Sequence, residues 1–350
     1  MKVASATLFI LMASVGLSNK VAAQTLRILV PAYANPCCDG GPEMWENLVA
    51  VASSPDRNFE LFVIFNPLNG PGTAVDPNYL QSDGSGPLPE LHAAGAIVQG
   101  YVASNYSQVS LQTLKEQIDV YFAGFWAGHV DGIFIDEMSA DIATTGYYQE
   151  LTNYVKSISP QARVIGNPGY FEFSNPSSQN QFSPQQYVNS VDTIITFENT
   201  NIEYTTNYSP DTVLSGLPCH KTGHIIHTLS SLSTDTLNLV ANRGAGFVYA
   251  TTGVLNTPYD QDALGKLTGP TGLAQLVAQV NATRFVLGDA NGDCLVNNLD
   301  ISGFILALTD PAAFRGRYPF VDYHQVLDFN GDSQFNNLDI GGFVQLLSGN

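Results

Sequence analysis

The chain has 350 residues, four cysteines and a formal charge of −18, with 13 Lys and Arg set against 31 Asp and Glu. So acidic a protein is repelled by nucleic acid and by anionic lipid headgroups, and suits a neutral or cationic partner or substrate. No CxxC pair and no Cys/His cluster with zinc spacing occurs, which speaks against a zinc site.

At the N-terminus, Lys2 is followed by an apolar run from Val3 to Val15 and then by Val21-Ala22-Ala23. This is the layout of a secretory signal peptide, residues 1–23, cleaved after Ala23. The run is shorter than the roughly 20 residues that cross a bilayer core, and nothing later is apolar enough to span. The expected location is therefore secreted or cell-surface. Loss of Lys2 and Lys20 moves the formal charge from −18 to −20. Export permits disulfides. Cys37 or Cys38 can pair with Cys219, or Cys37 with Cys38, and sequence does not choose between them.

Residues 24–286 alternate short apolar runs with helical stretches. Strands are predicted at 26–33, 60–66, 96–102, 130–137, 163–167, 191–198, 222–227 and 246–251. Each run is nearly continuous in apolar residues, as expected for a parallel sheet covered by helices. Between them, Leu111, Leu114 and Ile118, and likewise Tyr148, Leu151 and Val155, repeat at helical spacing. Pro42, Pro184 and Pro210 stand where first helical turns would begin. Eight such units over this length predict an α/β fold of the (β/α)8 TIM-barrel type. A doubly wound sheet is disfavoured, because no Gly-rich phosphate loop follows the first strand.

Chemistry in such a barrel sits at the C-terminal ends of the strands. Those ends carry Tyr33, Asn66, Tyr101, Asp136 with Glu137, Asn167, Glu198, His227 and Tyr249, a rim too polar for a purely structural barrel. Glycosidic cleavage needs two carboxyl groups and no cofactor, one to protonate the leaving oxygen and one to attack or to activate water. Asp136, Glu137 and Glu198 are the catalytic candidates, although acids in such places also cap helices. Thr196 and Glu198 share the polar phase of their strand, which should face the mouth, and Ile195 and Phe197 take the other. Asp136 and Glu137 cannot both point inward. Tyr33, Asn66, Tyr101, Asn167 and His227 are the candidate substrate contacts. Trp45, Tyr33, Tyr101 and Tyr170 are candidate stacking platforms for sugar rings, though each is more often core. His224 and His227 fall on opposite strand faces, so a metal site with His220 is disfavoured.

The strand-end motifs, taken together, resemble the spherulation-specific family 4 proteins, grouped with glycoside hydrolase family 135. The stretches are Pro31-Ala32-Tyr33, Phe65-Asn66-Pro67-Leu68-Asn69-Gly70-Pro71-Gly72, Gly100-Tyr101-Val102, Val130-Asp131-Gly132-Ile133-Phe134-Ile135-Asp136-Glu137, Asn167-Pro168-Gly169 and Phe197-Glu198-Asn199. Each is weakly specific, and the ordered set is strongly so. The resemblance implies a TIM barrel with an acidic groove. It further implies endo-cleavage of α-1,4-linked galactosamine or N-acetylgalactosamine polymers, with functional acids at Asp136, Glu137 and Glu198. The chain departs from its relatives at Ala103, where they often carry a bulkier polar residue, and at Cys37-Cys38 in the first loop of the rim. Both departures bear on the substrate. The alternative is a non-catalytic polysaccharide-binding protein.

Residues 287–350 contain a duplication. Asp289, Asn291, Asp293, Leu295, Asn297 and Asp300 align with Asp328, Asn330, Asp332, Gln334, Asn336 and Asp339. These fill positions 1, 3, 5, 7, 9 and 12 of a loop, with position 7 supplying a backbone carbonyl, the oxygen set that hard calcium takes. A helix is predicted after each loop. The pattern resembles type I dockerin repeats and implies a small all-α module that binds two Ca2+ and caps or tethers the barrel, either taking a cohesin-like protein as partner or packing only on its own barrel. Glycine is missing at position 6, where Cys294 and Ser333 stand, which is expected to weaken affinity or shift the loop.

Overall fold

Eight parallel strands close into a barrel in the order in which they occur along the chain. The computed structural model describes residues 26–348 apart from 39–40, 56, 58, 170–181, 255–258, 260–272, 283–285, 319–320 and 322. The expected signal peptide at 1–23 and the candidate platform Tyr170 lie outside the described residues.

The strands are β1 Arg27–Ala32, β2 Leu61–Phe65, β3 Ile97–Ala103, β4 Gly132–Asp136, β5 Arg163–Gly166, β6 Thr193–Thr200, β7 Thr222–His227 and β8 Phe247–Ala250. Closure comes from β1 meeting β8, with Arg27 opposite Phe247 and Ile28 opposite Val248. All five residues of β2 are buried, because helices shield the outer face while side chains fill the inside. The eight predicted strands are all present, and β6 runs two residues further than expected.

The surrounding helices are α1 Gly41–Ala52, α2 Pro87–Ala93, α3 Leu111–Phe122, α4 Thr145–Ile158, α5 Pro184–Val188, α6 Asn201–Thr206, α7 Thr234–Asn242 and α8 Leu273–Ala282. Their starts follow capping chemistry. Ser110 accepts from the Thr113 amide, and Ser183 forms a reciprocal box with Gln186 ahead of Pro184. Pro210 does not open an α-helix: it precedes a 3-10 turn at Thr212–Leu214 that Asp211 caps.

Helix α3 sets the level of β3. It buries Leu114, Ile118 and Tyr121, and a Cβ added to Gly100 would lie 2.8 Å from the Tyr121 ring. Only glycine lets that ring seat on the strand. Tyr121 then donates to the Tyr101 carbonyl at 2.8 Å, fixing the residue whose own side chain enters the mouth.

The N-terminal end of the barrel is plugged by charge on aromatic. The guanidinium groups of Arg27 and Arg163 lie 5.5 and 5.6 Å from the Phe247 ring centre. Arg27 is paired with Glu60 at 2.5 Å, and Arg163 donates to Thr193, which in turn donates to the His220 carbonyl. The opening is therefore at the other end, where the strands finish.

Beyond the barrel, α9 Asp300–Thr309, α10 Pro311–Arg317, α11 Tyr323–Val326 and α12 Ile340–Ser348 gather round a separate apolar cluster. At its centre Phe304 and Phe343, one from each repeat, stack with ring centres 4.2 Å apart. A disulfide joins Cys294 in the first loop to Cys219, in a 3-10 turn that runs straight into β7. Cys37 and Cys38 pair with each other. Of the pairings left open by sequence, the vicinal one is present. Cys219 takes neither Cys37 nor Cys38, because it opens β7 at the barrel floor while those two follow β1 at the mouth.

Candidate active site

Three strand ends converge on one amide. Asn167, which follows β5 and is 5% exposed, gives its side-chain nitrogen to Asp136 Oδ1 at 2.8 Å and to Glu198 Oε2 at 2.7 Å. The two carboxylate oxygens can therefore be no more than about 5.5 Å apart. The Asn167 oxygen accepts from the Gly169 amide, which fixes which way the amide faces. Tyr101 donates to the second oxygen of Asp136 at 2.8 Å. Tyr259, in the segment after β8, donates to Oε1 of Glu198. Tyr33 stands edge-on between them, its ring centre 5.7 Å from that of Tyr101 and 5.9 Å from that of Tyr259.

Glu198 reaches this cluster by way of a bulge. Ile195 pairs with Gly223, but Phe197 pairs with His224, so Thr196 is the extra residue on β6. The expected phase is corrected accordingly. Glu198 does face the mouth, whereas Thr196 Oγ1 lies behind the barrel, 3.1 Å from Tyr208 Oη and 3.1 Å from His224 Nε2.

Burial raises the pKa of both carboxyl groups. For Glu198 the negative charge of Asp136 raises it further, and the bonds from Tyr259 and Asn167 oppose the rise. For Asp136 the bonds from Tyr101 and Asn167 oppose it. The phenols of Tyr33, Tyr101 and Tyr259 are themselves pushed up, first by burial and then by these acids, so they remain donors.

The other sequence candidates separate from this group. Glu137 follows the last residue of β4, is exposed, and has φ 49. Its carbonyl accepts from Ser104 Oγ at 2.8 Å and from the Tyr106 amide at 2.7 Å. It sits on the rim, so the two neighbouring acids diverge as strand alternation requires. Asn66 is engaged in its own loop, accepting from the Gly70 amide. His227 is buried beside Thr228, and burial lowers its pKa. Trp45 is no platform: it is 1% exposed, bonded to the Ala34 carbonyl and packed on Phe65 and Tyr79. His224 lies on the outer face of β7 against Tyr204 and Tyr208, its pKa lowered to about 3 by burial.

The two C-terminal loops carry the same bonds at the same positions. Asp289 accepts from the amides of Gly292, Asp293 and Cys294, and Asp328 from those of Gly331, Asp332 and Ser333. Asp300 accepts from Asn291 and Asn297, and Asp339 from Asn330 and Asn336. Cys294 and Ser333 take φ 67 and 66, so the left-handed turn at position 6 forms without glycine. In the first loop, oxygens of Asp289, Asp293 and Asp300 all lie within 4.8 Å of one another. Burial, aided by the charges of Asp300 and Asp293, lifts the Asp289 pKa to about 7. An all-oxygen donor set with uncompensated negative charge fits a hard divalent cation.

Among curated proteins the chain is similar to Spherulin-4 of Physarum polycephalum, with 28% identity over 239 residues. That match covers 66% of this chain and 64% of the relative, so it spans less than two thirds of that protein. Among solved structures the chain is similar to Sph3 of Aspergillus clavatus in complex with GalNAc. The TM-score is 0.56 at 21% identity, over 75% of this chain and 98% of that one, which shows a shared barrel fold. The sequence matches the family model described as spherulation-specific family 4 over residues 27–265, and the chain belongs to that family.

Proposed function

We propose that this protein is a secreted glycoside hydrolase of the family 135 type, acting internally on an α-1,4-linked galactosamine or N-acetylgalactosamine polysaccharide. The observation that carries the reading is the pair of half-buried carboxyl groups, Asp136 and Glu198, held by the one amide of Asn167 at the mouth of the barrel. Glu198, its pKa raised by burial, is the general acid that protonates the leaving oxygen. Asp136 is the nucleophile, or stabilises the oxocarbenium ion. Their facing oxygens, at most about 5.5 Å apart, are in keeping with a retaining displacement, in which the two carboxyl groups stand roughly 5–5.5 Å apart. The sugar class is supported by the family and by the GalNAc bound to Sph3. The strong negative charge favours a partly deacetylated, cationic polymer. Two disulfides are in keeping with an oxidising, extracellular setting.

The duplicated loops are proposed to hold two calcium ions, through Asp289, Asn291, Asp293, Leu295, Asn297 and Asp300, and through the corresponding residues from Asp328 to Asp339. The module they build is proposed to tether the barrel, with a cohesin-like protein as its partner. The test is incubation of the full chain with α-1,4-linked GalNAc polymers of graded deacetylation. Release of new reducing ends, lost in Asp136→Asn and Glu198→Gln, supports the enzyme. Binding of the polymer with no cleavage overturns it in favour of a non-catalytic polysaccharide-binding protein.

A further inference from the structure

The two C-terminal loops match in sequence and in hydrogen bonding, yet their surroundings differ. In the first, Asp289 is 3% exposed, and position 6 is Cys294, covalently joined to the barrel. In the second, residues 330–334 are exposed, and position 6 is Ser333, which has no covalent tie. The first loop is bound to the barrel by more than sulfur. The Asp293 carbonyl accepts from the Cys219 amide at 3.0 Å. Cys219 in turn accepts from the Gly246 amide at 2.9 Å, where β8 begins. A Cβ on Gly246 would lie 2.7 Å from the Cys219 carbonyl oxygen and 2.9 Å from its sulfur, so strand and bridge are in direct contact.

We propose that the Cys219–Cys294 bridge makes the first loop a calcium site of the barrel itself, while the second is an independent site. The inference rests on the calcium reading above. Position 6 must hold φ near +67, a conformation that a side chain with a Cβ disfavours. In the first loop the bridge and the Asp293–Cys219 bond hold Cys294 there from outside. Its amide is thereby kept on Asp289 Oδ2 at 2.8 Å, and Leu295, the position 7 residue, is kept next in line. With the bridge absent, Cys294 is free to leave the left-handed region and to take both groups with it. Ser333 makes the same turn unaided, and its loop is indifferent to the bridge. The first site is thus held from outside as well as by its own bonds, and the second by its own bonds alone, so the first binds more tightly. Calcium bound at the first site also reaches the start of β7 and β8 through Cys219, and stabilises the barrel by linkage.

The experiment is calcium titration of the EDTA-stripped, oxidised full chain by calorimetry, with thermal unfolding followed in parallel. It uses variants rather than a reductant, which would also open Cys37–Cys38. The oxidised chain is expected to show two unequal sites. Cys219→Ser with Cys294→Ser should weaken the tighter one about tenfold, the order set by a lost left-handed turn, and leave the weaker one unchanged. Cys219→Ser with Cys294→Gly should regain that affinity, because glycine accepts the turn, yet calcium should no longer raise the barrel's melting temperature. Asp289→Asn and Asp328→Asn, which keep the bridge, give a second readout: only the first should abolish the calcium-dependent rise. Two sites of equal affinity, or equal loss of barrel stabilisation in the two Asn variants, overturn the coupling. Absence of any calcium binding by the oxidised chain is a different result, and overturns the calcium reading beneath it.

Discussion

Glu198 and Ile195 stand three residues apart on one strand and yet both face the inside of the barrel. Ile195 lies against the position that a Cβ on Gly223 would fill, and Glu198 reaches Asn167 at the mouth. In a regular strand they would point to opposite faces, and the extra residue Thr196 makes up the difference. Deleting Thr196 should make the strand regular, with Ile195 and Glu198 then two residues apart and both still inside, so cleavage should survive. Thr196→Val should keep Glu198 in place and full activity, while destabilising the barrel by about 1–2 kcal/mol by taking a partner from Tyr208 and His224. Unfolding curves and reducing-end assays on the two variants check this, and a folded deletion variant without activity would remove the role of extra residue given to Thr196.

Asp136 and Glu198 hold raised pKa values in the folded state, so each keeps its proton at a pH where the unfolded chain has released it. Stability should therefore fall as pH rises from the ordinary carboxylate range, roughly 4, through the raised folded values, and stay reduced above them. Asp136→Asn and Glu198→Gln remove that penalty. The new amide can give its hydrogens to the Tyr101 or Tyr259 oxygen while its carbonyl accepts from Asn167. Both variants should melt above the wild type at neutral pH and converge with it at low pH, while cleavage falls about 1,000-fold. Melting temperatures measured across pH decide the point.

Tyr259 touches Glu198 directly, and its bond favours the ionised carboxylate. Tyr259→Phe should raise the Glu198 pKa further, so a general acid there stays protonated to higher pH. The alkaline limb of kcat/KM should move upward, with kcat at the optimum down about tenfold through lost orientation. A purely structural tyrosine would lower stability and leave the limb where it was.

Glu137 separates backbone from side chain. Its φ of 49 suits glycine, and its carbonyl alone accepts from Ser104 and Tyr106. Glu137→Gly should leave the fold intact and raise KM for a cationic polymer about tenfold, with kcat within about threefold, as expected for a rim charge. A collapse of kcat equal to that of Asp136→Asn would place Glu137 in the reacting pair instead.

The barrel was legible because each strand is buried on both faces and so reads as an unbroken apolar run, as in Leu61–Phe65. Asp136, Asn167, Tyr101 and Tyr33 were legible because strand ends carry barrel chemistry, and the structure brings them together. Glu198 was placed correctly on a phase argument that fails for Thr196, since a bulge leaves no mark in apolar alternation. Tyr259 was missed: it lies after the last strand, in a segment with no periodicity to say where its side chain goes. Its being one of few phenols in the stretch after β8 is too weak a signal. The partner of Cys219 was missed because a loop cysteine at position 6 reads as a defect in a cation loop rather than as an anchor. Asn66 and His227, also polar strand ends, each give one side-chain atom to their own loop and stand apart from the Asn167 cluster.

The disulfide that fixes the C-terminal module ends on Cys219, just before β7 begins, and hence at the floor of the barrel. The strands carry their polar ends the opposite way. If a wall, matrix or scaffold gripped the module as proposed, it would hold the molecule by its heel, with the mouth turned to the surrounding medium. Such an anchorage would leave the groove unobstructed and aim it at chains arriving from outside, rather than at the surface that bears it.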